Sequence, residues 1–141
     1  MRKPLLMVAS FMWMSFLAAC AATPAAQEIT ITAQGMSYQP ASFEVTAGQP
    51  VRLVFQNDDV VEHDFSIMAF PMSGMSSQQE DMPGHNMGDM ATQPELHVAA
   101  PVGGQGVLEF TPSKPGTYTF SCTMAGHMEA GMLGTLTVRA R

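Results

Sequence analysis

From residue 28 onward, apolar and polar residues alternate in short runs, the two-residue period of strands that bury one face. EITITA (28–33) places Ile29 and Ile31 on one side, and SFEVTAG (42–48) does the same with Phe43 and Val45. VRLVFQN (51–57) aligns Val51, Leu53 and Phe55, and HDFSIM (63–68) forms a fourth run. ELHVA (95–99), GVLEF (106–110), GTYTFSC (116–122) and GTLTVR (134–139) follow, with Asn-Asp, Gly-Gly and Pro-Gly pairs between runs. No segment after residue 28 sustains a helical apolar period. Seven to eight short strands in one domain predict an all-β Greek-key β-sandwich over residues 28–141.

Residues 69–94 break this pattern. The segment AFPMSGMSSQQEDMPGHNMGDMATQP is rich in Gly, Pro, Ser, Gln and Met, and is too polar to build a core of its own. It is expected to be a flexible, Met-rich insertion between two strands.

The first residues follow another logic. Arg2 and Lys3 precede an uncharged apolar run from Leu5 to Ala19, short for a membrane span and suited to a secretory signal over residues 1–19. The run ends in Leu17-Ala18-Ala19-Cys20, which resembles a bacterial lipobox. Cys20 is therefore expected to carry lipid, with residues 20–27 as a tether of small residues. The protein would be exported and held as a lipoprotein on the extracytoplasmic, periplasmic face of a membrane. An ordinary signal cut near Ala22, discarding Cys20, is the alternative.

Charge narrows the partners. Six basic and twelve acidic residues give −6, and loss of Arg2 and Lys3 with the signal leaves −8. An acidic chain without a basic tract is a poor match for nucleic acid, whose phosphates need clustered Lys and Arg. Loss of Cys20 to lipid leaves Cys122 as the single thiol of the body, so an internal disulfide is excluded. A free thiol outside the cytosol must be buried or bound to survive oxidation.

Cys122 ends a strand and opens the loop Cys122-Thr-Met-Ala-Gly-His127-Met-Glu-Ala-Gly-Met132, after which a last strand begins near Gly134. His63 lies 59 residues upstream at the start of another strand. Two imidazoles, a thiolate and a thioether suit copper: the first three form a strong trigonal plane, and a long axial Met tunes the potential. Structural zinc would call for further strong ligands, typically paired cysteines, which the body lacks.

With VEHDF around His63, the approach TPSKPGTYTFSC, and the C-x₄-H-x₄-M loop, the chain resembles the cupredoxins, the small blue-copper proteins related to auracyanin, plastocyanin and azurin. The resemblance implies one type 1 copper held by His63, Cys122, His127 and Met132. It also implies an electron port at the edge of His127, within a surface lined by Met124, Ala125, Met128 and Ala130. Asp64 departs from the family, which usually has Asn after the first His to tie the two ligand loops by hydrogen bonds. Asp can accept such bonds, but its charge should favour Cu(II) and lower the potential. Met124-Ala125 is a second departure, where many relatives have an aromatic residue or Val followed by Pro.

Two histidines remain. His97 falls within a strand and reads as a surface or hydrogen-bonded residue. His85 sits in a mimic of the copper loop, Pro83-Gly84-His85-Asn-Met-Gly-Asp-Met90, but Glu80 stands where a thiolate would be needed. Met68, Met72, Met75, Met82, His85, Met87 and Met90 form a candidate secondary Cu(I) set, since thioethers select soft metal ions. A solvated loop and an adaptable contact surface are the competing readings of the segment.

Two functions are expected from this pattern. One is a membrane-tethered electron carrier cycling between Cu(I) and Cu(II), with a redox protein as partner. The other is a copper-delivery or copper-homeostasis lipoprotein whose Met-rich loop gathers Cu(I) for a copper-handling partner. Neither calls for a small-molecule substrate, and no hydrolase, zincin or phosphate-loop motif points to an enzyme.

Overall fold

The computed structural model describes residues 24–79 and 92–141. The expected signal 1–19, Cys20, and the loop donors Met82, His85, Met87 and Met90 lie outside the described residues. Ten strands make up the described fold: β1 (Gln27–Gln34), β2 (Ser37–Gln39), β3 (Ser42–Thr46), β4 (Val51–Asn57) and β5 (His63–Ile67), then β6 (Met72–Gln79), β7 (Leu96–Ala100), β8 (Gln105–Pro112), β9 (Gly116–Ser121) and β10 (Leu133–Arg139). They form two five-stranded sheets in the orders β2-β1-β4-β8-β6 and β3-β10-β9-β5-β7. This is a β-sandwich, as the alternating pattern implies.

The inward positions read from the sequence are the buried ones. Ile31, Phe43, Val45, Val51, Leu53 and Phe55 join Phe65, Phe110, Phe120, Leu136 and Val138 in one core. Strand β5 differs from its neighbours in being buried at every position. Phe65 and Ile67 join the apolar core, whereas Asp64 and Ser66 are buried in hydrogen bonds.

Two strands depart from expectation. The segment 69–94 is not loop throughout, because β6 pairs antiparallel with β8 along Met72–Gln79, with a register shift between Ser73 and Met75. Its polar side chains hide the strand from a hydrophobicity reading. It is an edge strand exposed almost throughout, held by backbone pairing rather than core burial. Strand β2 is also unanticipated, being only three residues long. Gly35 and Met36 both have φ near 58° and turn β1 directly into β2, the backbone demanded by a tight two-residue hairpin. A methionine is an uncommon residue there.

The hairpin sets Tyr38 in the core against Phe55, Phe65 and Phe120. Its hydroxyl donates to the Asp64 carbonyl over 2.6 Å, and burial raises its pKa far above that of an ordinary phenol. Tyr38→Phe would leave that buried carbonyl without this donor, at a cost of about 1–3 kcal/mol. Urea unfolding of the metal-free protein should show the loss, and an unchanged midpoint would contradict the assigned bond.

Candidate metal centre

Strands β5 and β9 lie side by side, with Ser66 opposite Ser121. That register brings His63, at the start of β5, to Cys122, just beyond β9. The loop after Cys122 then folds back on itself. His127 N–H donates to the Met124 carbonyl at 3.1 Å, and Met132 N–H donates to the His127 carbonyl at 3.0 Å. Cys122 N–H donates in turn to the Met132 carbonyl at 3.3 Å. Gly126 supplies the φ of +85° that the turn before His127 needs, a region costly for other residues. The loop is thus shaped by its own backbone, and five-residue steps bring its ends together.

His63, Cys122 and His127 converge, with one donor atom of each within 4.8 Å of the others. Cys122 Sγ stands 3.3 Å from His127 Nδ1 and 3.8 Å from His63 Nδ1. Three donors each about 2.0–2.3 Å from a common ion, at trigonal angles, would be about 3.6 Å apart. The observed spacing is one at which His63, Cys122 and His127 could hold a metal ion together. The donor set fits copper, since imidazole and thiolate together form the strong plane of a type 1 centre. Met132 is fully buried in the core, and its backbone is bonded to those of Cys122 and His127.

The surroundings decide the protonation states. Burial, and then the negative charge of Asp64, push the Cys122 thiol up to about 11, so a metal must displace its proton on binding. Burial also lowers His127, with the neighbouring His63 adding to the effect. A lowered His127 stays neutral at ordinary pH and keeps a lone pair for a metal.

Asp64 performs the tie that its family position implies. Its Oδ1 accepts from the Thr123 amide at 2.9 Å, and Oδ2 accepts from the Thr123 hydroxyl at 2.6 Å. Ser66 donates its hydroxyl to Asp64 Oδ1 at 2.9 Å. The Ser66 oxygen must then accept from His97 Nδ1–H, 2.8 Å away, which places His97 in the hydrogen-bonded role expected for it. Thr123 and Ser66 gave no signal in the sequence, because hydroxyls on strands and in the loops beside them are commonplace.

Asp59 was also missed. Its Oδ2 lies 3.1 Å from His63 Nε2, on the far side of the ring from Cys122, and also accepts from the Met36 amide at 3.3 Å. A carboxylate at Nε2 keeps the proton there and leaves Nδ1 free to bind metal. Hydrogen bonds from the Val60 amide, first, and from His63 hold the Asp59 carboxyl down to about 2. The clue lay in Asn57-Asp58-Asp59 just before His63, which reads as no more than a turn.

Among the described residues, the methionines expected to act together are divided. Met72 and Met75 stand on β6; Met72 packs on the core, and Met75 lines a groove with Pro50, Arg52 and Phe110. Met68 follows β5 in the other sheet and lines a cleft beside Cys122.

A model of the family described as multicopper oxidase matches residues 16–141. The chain belongs to that family, with the cupredoxin fold. This cupredoxin is 33% identical over 105 residues to the copper-resistant cuproprotein CopI of Rubrivivax gelatinosus, covering 74% of the chain and 61% of that relative. The chain thus spans less than two thirds of that relative's length. It is 28% identical to the protein of the same name from Pseudomonas aeruginosa, over 84% of the chain and 79% of the relative. Among solved structures, reduced auracyanin from Roseiflexus castenholzii superposes with a TM-score of 0.61 at 22% identity, covering 82% of this chain and 98% of that one. Auracyanin B gives the same score at 27% identity, covering 83% and 91%. This cupredoxin is a copper-binding protein, and among the described residues His63, Cys122 and His127 form a cluster that could hold the metal.

Asp59 provides a test of how the centre is built. Asp59→Ala should weaken Cu(II) binding about 10–100-fold, the usual cost of losing a partner that orients a ligand. Asp59→Asn keeps an acceptor for Nε2–H while removing the charge, so it should retain affinity better and raise the reduction potential. Copper titration and voltammetry read both effects, and an Asp59→Ala affinity equal to wild type would refute the orienting role.

Proposed function

We propose that this cupredoxin serves copper resistance outside the cytoplasm, holding one type 1 copper at His63, Cys122, His127 and Met132 as a membrane-tethered lipoprotein. The observation that carries the reading is the convergence of two imidazole nitrogens on a buried thiol in a chain related to copper-resistant cuproproteins. Copper bound there would supply one-electron chemistry between Cu(I) and Cu(II). The chain's own part is to fix the donors. Asp64 joins the two ligand segments, Asp59 sets the His63 tautomer, and the core shields Cys122 from oxidants. In this reading the protein binds metal and exchanges electrons rather than turning over a substrate. Its partner is a copper-handling protein, and Cys20 supplies the lipid.

A second reading, a dedicated electron carrier for a redox protein, draws support from the same frame. Donors held by hydrogen bonds need little rearrangement between oxidation states, and half-buried His127 offers an edge to a partner.

Growth separates the two readings. A strain lacking the protein should become copper-sensitive, with tolerance restored by wild type and not by Cys122→Ser. Undiminished copper tolerance together with a respiratory defect would overturn copper resistance in favour of electron carriage.

A further inference from the structure

Beside the trigonal donors lies a cleft of about 340 Å³ that no ligand of that centre except Cys122 lines. Its walls include three thioether side chains from separate parts of the chain: Met68 after β5, and Met124 and Met128 from the ligand loop. Met68 and Met128 are 42% and 49% exposed, so neither serves mainly to fill the core. Glu129, also in the lining, adds the carboxylate of an overall acidic protein. Uncharged, soft sulfur donors around a water-accessible cleft, with an acid in its wall, match a soft monovalent cation rather than a hard divalent one.

We propose that the cleft formed by Met68, Met124 and Met128 is a Cu(I)-binding site adjoining Cys122, separate from the type 1 centre. The assignment deepens the copper-handling reading and rests on it for its purpose. It regroups the methionines: Met68 belongs with the ligand loop, whereas Met72 and Met75 of β6 lie in the opposite sheet. Metal held in the cleft would sit against a wall to which Cys122, itself buried, contributes. No change of oxidation state is involved.

The test uses the full-length protein with its type 1 centre already filled with Cu(I), without oxygen, and titrates in further Cu(I) against a chromogenic Cu(I) chelator. Wild type should take up a second equivalent. The triple variant Met68→Leu, Met124→Leu and Met128→Leu should lose it while keeping the thiolate-to-Cu(II) absorption on oxidation, because Met-to-Leu exchange conserves volume. Met82→Leu, Met87→Leu and Met90→Leu together should leave that equivalent in place. If the cleft triple fails to fold, the exposed single variants Met68→Leu and Met128→Leu should each weaken the second equivalent and not the first. Absence of a second equivalent in wild type, or its retention in the folded cleft variants, overturns the site. Failure of the copper-resistance reading would appear separately, as unchanged tolerance of the deletion strain.

Discussion

A carboxylate taken out of water costs several kcal/mol unless hydrogen bonds replace its hydration. Asp64 is wholly buried, and its oxygens receive the Thr123 amide, the Thr123 hydroxyl and the Ser66 hydroxyl. Those bonds hold only if the start of β5 stays against the residue that follows Cys122. The same placement brings His63 Nδ1 to Cys122 Sγ. Satisfying one buried charge and assembling the metal centre are therefore a single requirement, and Tyr38 secures it from the core side by bonding the Asp64 carbonyl.

That requirement has an electrostatic consequence. Asp64 and Asp59 place two carboxylates near the donors, one beside Cys122 and one behind His63. Both raise the negative potential that a bound ion would experience, which favours the higher charge of Cu(II). A site biased in this way suits a protein that must hold copper firmly, and it links the departure at position 64 to the copper-handling reading.

The sandwich was legible because most of its strands bury one face, so that Ile31, Leu53, Phe55 and Leu136 announce their sides by alternation. Strand β6 was not, since an exposed edge is held by backbone bonds that carry no side-chain pattern. Strand β2 was too short to show a period, and its turn uses Met36 where glycine or asparagine would have been the signal. Of the expected donors, Cys122 and His127 could be picked out from their loop spacing and His63 from its place at the start of a strand, and the structure brings these three together. The residues that orient them could not. Asp59 reaches His63 only four residues on, Ser66 bonds Asp64 two residues back, and Thr123 bonds Asp64 across 59 residues; each contact is about three ångströms long, and neither residue type nor spacing signals it. Among the described methionines of the sulfur-rich segment, Met72 and Met75 stand on β6 whereas Met68 follows β5 in the other sheet, a division that composition does not reveal.

The central claim is that one copper is held by the thiolate of Cys122 and the imidazoles of His63 and His127. X-ray absorption at the copper edge of the protein loaded with one equivalent tests it most directly. The account predicts one short copper–sulfur bond and two copper–nitrogen bonds, with the short sulfur contribution lost in Cys122→Ser. A first shell of oxygen and nitrogen alone, or of several equivalent sulfurs, would contradict it.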